Sequence, residues 1–511
     1  MATPPPPPPA SSAPPPNIPE PPLPEAPLTG WKSALEHTGI PKSWLRAKPR
    51  LPSRRMMIFI STVSALTGAY VYDRRECKRI RQEYIDKVKH LGEVEMKPWE
   101  LPRKVLVYAC KWPGDEEYDR SLKWFKRNVK PILVEAAIDY EFKNGNQYGS
   151  LMRAISDEIR DRRRIEAGLD PAPREIAIPG PPRSPTEKRD RELAGGVIII
   201  GRHTFKEYME GIKRGWTRGL DKIDEDEVLA KLLEDDGHFD EPKVASADGD
   251  DEEPRPKGPA PPPNQIVLSP FQLRPPNAPL SQPKAEQSAA VPAHLNIPPT
   301  QIPEQPPLAL VPYTSVLGFL NIPLMLWDFF NTRKDVQAGA EAAYAVIAAQ
   351  KRDFEGPSDA YVSSLQREEV DDTDFSIPLS TDGMGDLGFD LHAESYWRSS
   401  YNKDTLTDLA KARKSYYAAL PEKLATARAL ARREREPTKD EVNYPPPTEV
   451  QLRAERLKKE KRWREEEEAW RVLRGGMGVA WDERFRQALK VFDRNGQVAP
   501  PPEKPFAVDQ E

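Results

Sequence analysis

Residues 197–212 read VIIIGRHTFKEYMEGI, and this stretch decides the fold. Val197–Ile200 is four β-branched apolar residues in a row, which predicts a strand buried on both faces. Gly201-Arg202-His203-Thr204 turns the chain, and Thr204–Leu220 predicts a helix. A strand running through a glycine turn into a helix is one βα unit, and the same unit recurs upstream. Lys104–Ala109 (KVLVYA) predicts a first buried strand. In Asp119–Ala137, Leu122, Phe125, Val129, Ile132, Leu133 and Ala136 fall on one helical face. Ile138–Phe142 predicts a second strand and Tyr148–Ala167 a second helix. Three βα units in succession predict a parallel, doubly wound sheet. Leu308–Val311 (LALV) predicts a further buried strand of the same body.

Upstream of that body, Met56–Tyr72 (MMIFISTVSALTGAYVY) carries no charge. About 17 residues is the lower limit for crossing a bilayer core of roughly 30 Å. Arg54 and Arg55 precede the run, and Arg74, Arg75 and Lys78 follow it, so snorkelling side chains extend its reach. The prediction is a single membrane-spanning helix tethering a large polar body to the lipid bilayer. Ser61, Ala65 and Ala69 lie four apart on it, and Ser64 and Gly68 make a second such pair. Small residues at this spacing let helices approach closely in lipid, so these five are the candidate packing face. The first 30 residues contain no Lys or Arg and are dominated by proline, which fits neither a secretory signal nor an Arg-rich presequence. An uncleaved signal anchor is therefore expected. Its N-terminal flank (Lys42, Arg46, Lys48, Arg50, Arg54, Arg55) has no acid among the basic residues, which places that side on the electrically negative face.

Composition bounds the rest. The chain has 511 residues, enough for more than one domain. Net charge is −4 with both signs interspersed, which gives no nucleic-acid footprint. Two cysteines, Cys77 and Cys110, make neither a disulfide framework nor a zinc site, and no cofactor or metal is expected. The expected organisation runs as follows. Residues 1–30 are a disordered Pro-rich tail, 31–55 a basic pre-anchor segment, 56–72 the transmembrane helix and 73–102 a juxtamembrane helix. Residues 103–222 are the α/β domain, 223–305 a largely disordered acidic and Pro-rich insertion, and 306–360 a return to the core. An acidic loop over 361–395, a helical C-terminal region over 396–493 and a disordered tail over 494–511 complete it. Within the insertion, Ile266–Leu268 and Phe271–Leu273 are candidate short strands. Val316–Phe330 is the second most apolar stretch and is expected to be a core or interfacial segment, interrupted by Pro323. Helices are expected near 404–418 and 421–434, from Thr448 to Leu473, and over Trp481–Phe492.

For chemistry, the sequence holds no GxxxxGK[ST], HExxH, GxSxG or CxxC. The turn after Val197–Ile200 is a position where helix N-terminal amides meet phosphate. The strand and helix order, with VIIIGRHTF at the third strand, resembles the nucleotide-binding half of the diacylglycerol-kinase-like lipid kinases. That resemblance implies a Gly-Gly-Asp-Gly-Thr turn. Gly201 and Thr204 match it, but Arg202 and His203 stand at the Asp and the second Gly. The first-strand turn, Lys111-Trp112-Pro113-Gly114-Asp115, also departs from a small-residue phosphate loop. The expectation is a degenerate, non-catalytic version of that fold, with His203 a surface or capping residue. The alternative is a membrane-tethered, lipid-kinase-like enzyme binding nucleotide or lipid. A third reading, a proline-rich adaptor, rests on the N-terminal tail alone.

Longer blocks carry a closer resemblance. They are LEHTGIPKSWLRAKPRLPSRRMMIFIS into the anchor, YDRRECKRIRQEY, NVKPILVEAAIDYE, IPLMLWDFFNTR with GAEAAYAVIA, and LPEKLATARALARREREPTKDEVNYPPPTEVQLRAERLKKEKRW. From about residue 34 onward the chain resembles the fungal fifty-four-kilodalton subunits of the mitochondrial carrier translocase. That resemblance implies a non-enzymatic, single-pass scaffold in the mitochondrial inner membrane, with its N-terminus in the matrix and its bulk in the intermembrane space. It further implies a channel-forming subunit and small intermembrane-space chaperones as partners, in a complex that inserts multi-spanning carrier proteins. It supplies no catalytic residues.

Overall fold

The computed structural model describes residues 53–96, 102–171, 185–240, 291–316, 318–359, 361 and 382–494. The two terminal tails, nearly all of the basic pre-anchor segment, residues 241–290 with both candidate short strands, and most of the acidic loop lie outside these residues. The chain divides into two compact units, Met1–Ala69 and Tyr70–Glu511.

The described part of the first unit is the beginning of helix α1, Arg54–Gly92. Every residue of the apolar run up to Ala69 is exposed on it. At 1.5 Å per residue its 39 residues measure about 58 Å, so one continuous helix carries both the apolar run and the charged stretch after it. Arg54–Gly92 is the single candidate membrane span among the described residues.

The second unit is built on a six-stranded sheet in the order β2-β1-β3-β4-β6-β5. The strands are β1 Lys104–Cys110, β2 Asp139–Gly145, β3 Val197–Ile200, β4 Leu308–Val311, β5 Lys351–Asp353 and β6 Lys490–Phe492. All neighbours from β2 across to β6 are parallel, and β5 runs antiparallel to β6. The expected all-parallel sheet is therefore a mixed one, closed at one edge by a short strand with no buried residue. Alternation decides the layers. Val105, Val107, Ala109, Ile198 and Ile200 face one core, and Tyr108, Cys110, Val197 and Ile199 face the other.

The first core is covered by α2 (Arg120–Asn128) and α3 (Lys130–Glu135), through Phe125, Ile132 and Leu133. The second is covered by α4 (Ser150–Glu166), through Leu151 and Ile155. Next come α5 (Pro185–Gly195), α6 (Arg202–Thr217), α7 (Glu225–Glu234), α8 (Ala293–Asn296), α9 (Ile322–Phe329) and α10 (Arg333–Ala348). Phe205, Met209 and Ile212 of α6 join the second core, and Ala340, Ala343 and Val346 of α10 the first. A Cβ on Gly215 of α6 would sit 2.7 Å from Cβ of Ile159 of α4, so the missing side chain lets these two helices pack closely. The chain ends with α11 (Glu394–Ala431), α12 (Lys439–Asn443) and α13 (Glu449–Leu473), ahead of β6.

Three differences from the sequence reading have local causes. The single helix expected over Asp119–Ala137 breaks at Val129, where Pro131 enters the first turn of α3. The two helices expected near 404–418 and 421–434 are one helix, α11, running through Pro421. One lost backbone bond there is outweighed by Tyr416, Leu420, Leu424 and Ala427 packing on Leu452 and Trp463 of α13. The helix expected over Trp481–Phe492 is a 3-10 turn, Glu483–Phe485, followed by β6. Val491 there pairs with Leu308, so the sheet overrides the helical spacing. Of the two options for Val316–Phe330, core or interfacial segment, α9 does not supply core: every residue from Ile322 to Phe329 is exposed.

Candidate functional site

In an open α/β sheet, ligands sit outside the carboxyl ends of the parallel strands. Here the residues just past β1, β3 and β4 turn inward and meet. Trp112 follows β1, His203 opens α6 after β3, and Tyr313 follows β4. Trp112 contacts the His203 ring at a centroid separation of 5.0 Å and the Tyr313 ring at 5.7 Å, both edge-on. Trp397 of α11 closes the group from outside, 4.9 Å from Trp112, and its Nε1 donates to Leu473 O at 3.2 Å. All four side chains are buried.

His203 is thus not the surface or capping residue expected. It is fully buried, and Nε2 pairs with Cys110 O at 3.1 Å. Burial pulls its pKa down to about 4, against that hydrogen bond, so the ring is neutral at neutral pH.

Two side chains of α6 bond to backbone amides of neighbouring segments. Thr204 Oγ1 accepts from Cys110 N at 3.1 Å. Gly149, left-handed at φ 72°, caps α4, and its N–H donates to Glu207 Oε1 at 2.9 Å. Burial raises the Glu207 pKa and pushes the Cys110 thiol well up, so neither is tuned as an anionic nucleophile.

Arg202, in the turn after β3, points into the protein. Its Nε donates to Glu394 Oε1 at 2.5 Å, and its Nη1 to Leu387 O and Phe389 O, each at 2.7 Å. Lys206 Nζ lies 2.9 Å from the same Glu394 oxygen and 3.1 Å from Arg474 O. Gly476 N–H satisfies Glu394 Oε2 at 2.9 Å. These side chains are 0–1% exposed. Burial lowers the Lys206 ammonium to about 8 despite the carboxylate beside it. Against the desolvation that would raise it, Lys206 and Arg202 hold the Glu394 carboxyl below its usual range. The cluster locks α6 to α11 and to the chain after α13.

The second candidate is the foot of α1 within the second unit. Asp73 is buried, and it accepts from Thr332 Oγ1 and from Arg333 N, the latter at 3.1 Å. Arg74 Nη1 donates to Thr332 Oγ1 at 3.0 Å. Tyr70 stacks on Phe329 at 5.5 Å, with the Arg74 guanidinium 5.0 Å from the first ring and 5.7 Å from the second. Of the candidate packing residues, Ser61, Ser64, Ala65, Gly68 and Ala69 all lie exposed on α1, and Ser61 Oγ donates to Ile58 O at 2.9 Å.

Sequence reasoning did not find Glu394, Tyr313 or Trp397. The one local signal was Trp112, a bulky residue where a phosphate loop needs a small one.

Comparison with known proteins now adds to this geometry. Residues 32–404 match the family model described as "Inner membrane protein import complex subunit Tim54". A relative from Cryptococcus neoformans var. neoformans is 37% identical over 479 residues, covering 91% of this chain and 95% of its own. One from Yarrowia lipolytica is 30% identical over 275 residues, 40% of this chain and 48% of its own. One from Aspergillus fumigatus is 29% identical over 332 residues, 62% of this chain and 70% of its own. All three are named mitochondrial import inner membrane translocase subunit TIM54.

Proposed function

Because the chain belongs to the Tim54 family of mitochondrial inner membrane import translocase subunits, we propose that it is a non-catalytic scaffold of that translocase. In this reading α1 crosses the inner membrane once, with its basic N-terminal flank in the matrix and the second unit in the intermembrane space. The subunit stabilises the complex that inserts multi-spanning carriers and helps dock the small chaperones that deliver them. The small-residue face of α1 packs on the channel-forming subunit.

The observation that carries the non-catalytic part is the filled sheet edge. Trp112, His203, Tyr313 and Trp397 occupy the crevice where a nucleotide would lie. Thr204 and Glu207 engage the nearby amides. A lipid-kinase-like enzyme needs that space open and an acid at residue 202, where a buried arginine stands. The long exposed apolar run of α1 supports the membrane-spanning part.

Orientation is tested by protease treatment of mitoplasts. The second unit is expected to be digested and an N-terminal tag protected; the reverse pattern overturns the topology. Packing is tested by Ala65→Leu with Ala69→Leu. The double variant is expected to insert normally but to lose most of the co-purifying channel; unchanged recovery of the channel rules out that face. ATP binding at low-micromolar affinity that is lost on Gly201 or Thr204 substitution would replace the scaffold reading with the enzyme one.

A further inference from the structure

Helix α9 is apolar at every position but Asp328, and Ile322–Phe329 places no residue in the core. Leu324, Met325, Leu326 and Trp327 are consecutive, so they point about 100° apart around the helix, with Asp328 between the Leu324 and Met325 directions. They are 39%, 44%, 56% and 62% exposed, and Phe319 in the preceding turn is 85% exposed. A helix of this composition belongs either in a protein core or in lipid. Its eight residues reach about 12 Å, too short to span a bilayer.

Its surroundings decide between occupants. The C-terminal end of α9 is fixed to the last residues of the apolar run of α1. Phe329 stacks on Tyr70, and Asp73 holds Thr332 and the Arg333 amide. Two cations lie at the same level: the Arg74 guanidinium over Tyr70 and Phe329, and the Arg333 guanidinium 5.6 Å from the Tyr72 ring. Aromatic rings beside arginines at the end of an apolar helix are the pattern of a membrane–water boundary, with the cations placed for lipid phosphates. A protein groove would cover one stripe of α9 and leave the rest wet. A membrane boundary would take the apolar sides of α9 in its acyl region and leave Asp328 at the headgroups.

We propose that α9 and Phe319 form a second, monotopic membrane contact, buried in the headgroup and acyl boundary of the leaflet from which α1 emerges. The recognised chemistry is that of an anionic phospholipid surface. This inference rests on the reading that α1 spans the bilayer.

The test uses the full chain in liposomes of phosphatidylcholine and one anionic phospholipid. Met325→Cys carries an environment-sensitive fluorophore, and the lipid carries a nitroxide at a shallow acyl position. Both native cysteines are buried, and Met325 is exposed, so the label leaves the fold intact. Severalfold stronger quenching at residue 325 than at Tyr444→Cys, on an exposed polar segment, is expected, at a depth of ~5–10 Å below the headgroup plane. Quenching at residue 325 no stronger than at residue 444 overturns the proposal and leaves a protein partner as the occupant. A label at Leu66→Cys reports on α1 separately. Its deep quenching with none at residue 325 defeats the interfacial contact alone, and its failure to quench defeats the spanning reading.

Discussion

The carboxyl end of the sheet and helix α9 are opposites. At the sheet edge, residue types that ordinarily do chemistry (His203, Lys206, Glu207, Arg202, Glu394) are buried and bonded to one another or to backbone. At α9, residue types that ordinarily build a core are exposed. The first region is part of the protein's interior. The second keeps apolar surface available, which a soluble protein avoids unless something covers it. The contrast is what the proposed scaffold role would use: surface for contact and a closed sheet edge.

The comparison breaks most sharply at Glu394. Glu394→Ala leaves Arg202 and Lys206 buried without their carboxylate, a loss of about 3–5 kcal/mol. A large drop in the thermal midpoint of the solubilised chain is expected, and an unchanged midpoint would mean that the cluster is hydrated.

Next comes acid. An unfolded imidazole takes up its proton near 6.5, whereas that of His203 resists to about 4. Its contribution is therefore complete above pH 6.5 and is lost as the pH falls toward 4, at most ~3 kcal/mol. His203→Gln should flatten that part of the stability profile; an identical acid limb in the variant would contradict the assignment.

Asp73→Ala removes the acceptor of Thr332 and of the Arg333 amide, at a cost of ~1–3 kcal/mol. Faster proteolysis at α9 and unchanged membrane insertion are expected.

The smallest effect sharpens the other side. Leu326→Glu with Trp327→Glu should leave the unfolding free energy within about 0.5 kcal/mol of the parent, because both side chains are exposed. A marked loss of stability would show that α9 is core after all.

The fold was legible where a local run carried it. KVLVYA, VIII and LALV are buried strands, and the uncharged run from Met56 lies on a long helix. What was hidden depends on distant partners. Arg202 and Glu394 are 192 residues apart, so nothing near the turn announces the ion pair. β6 has helical spacing and becomes a strand only because β4 offers its edge. The burial of His203 likewise follows from Trp112, Tyr313 and Trp397, on three separate segments. The Gly201-Arg202-His203-Thr204 turn was visible in the sequence, but the side chains packed around it were not.

The central claim, a scaffold within the import translocase, is met most directly by purification of a C-terminally tagged full chain from mitochondria in mild detergent, with the co-purifying proteins identified. The account predicts recovery of the channel-forming subunit together with small intermembrane-space chaperones. Recovery of the intact chain alone, in good yield, would contradict it.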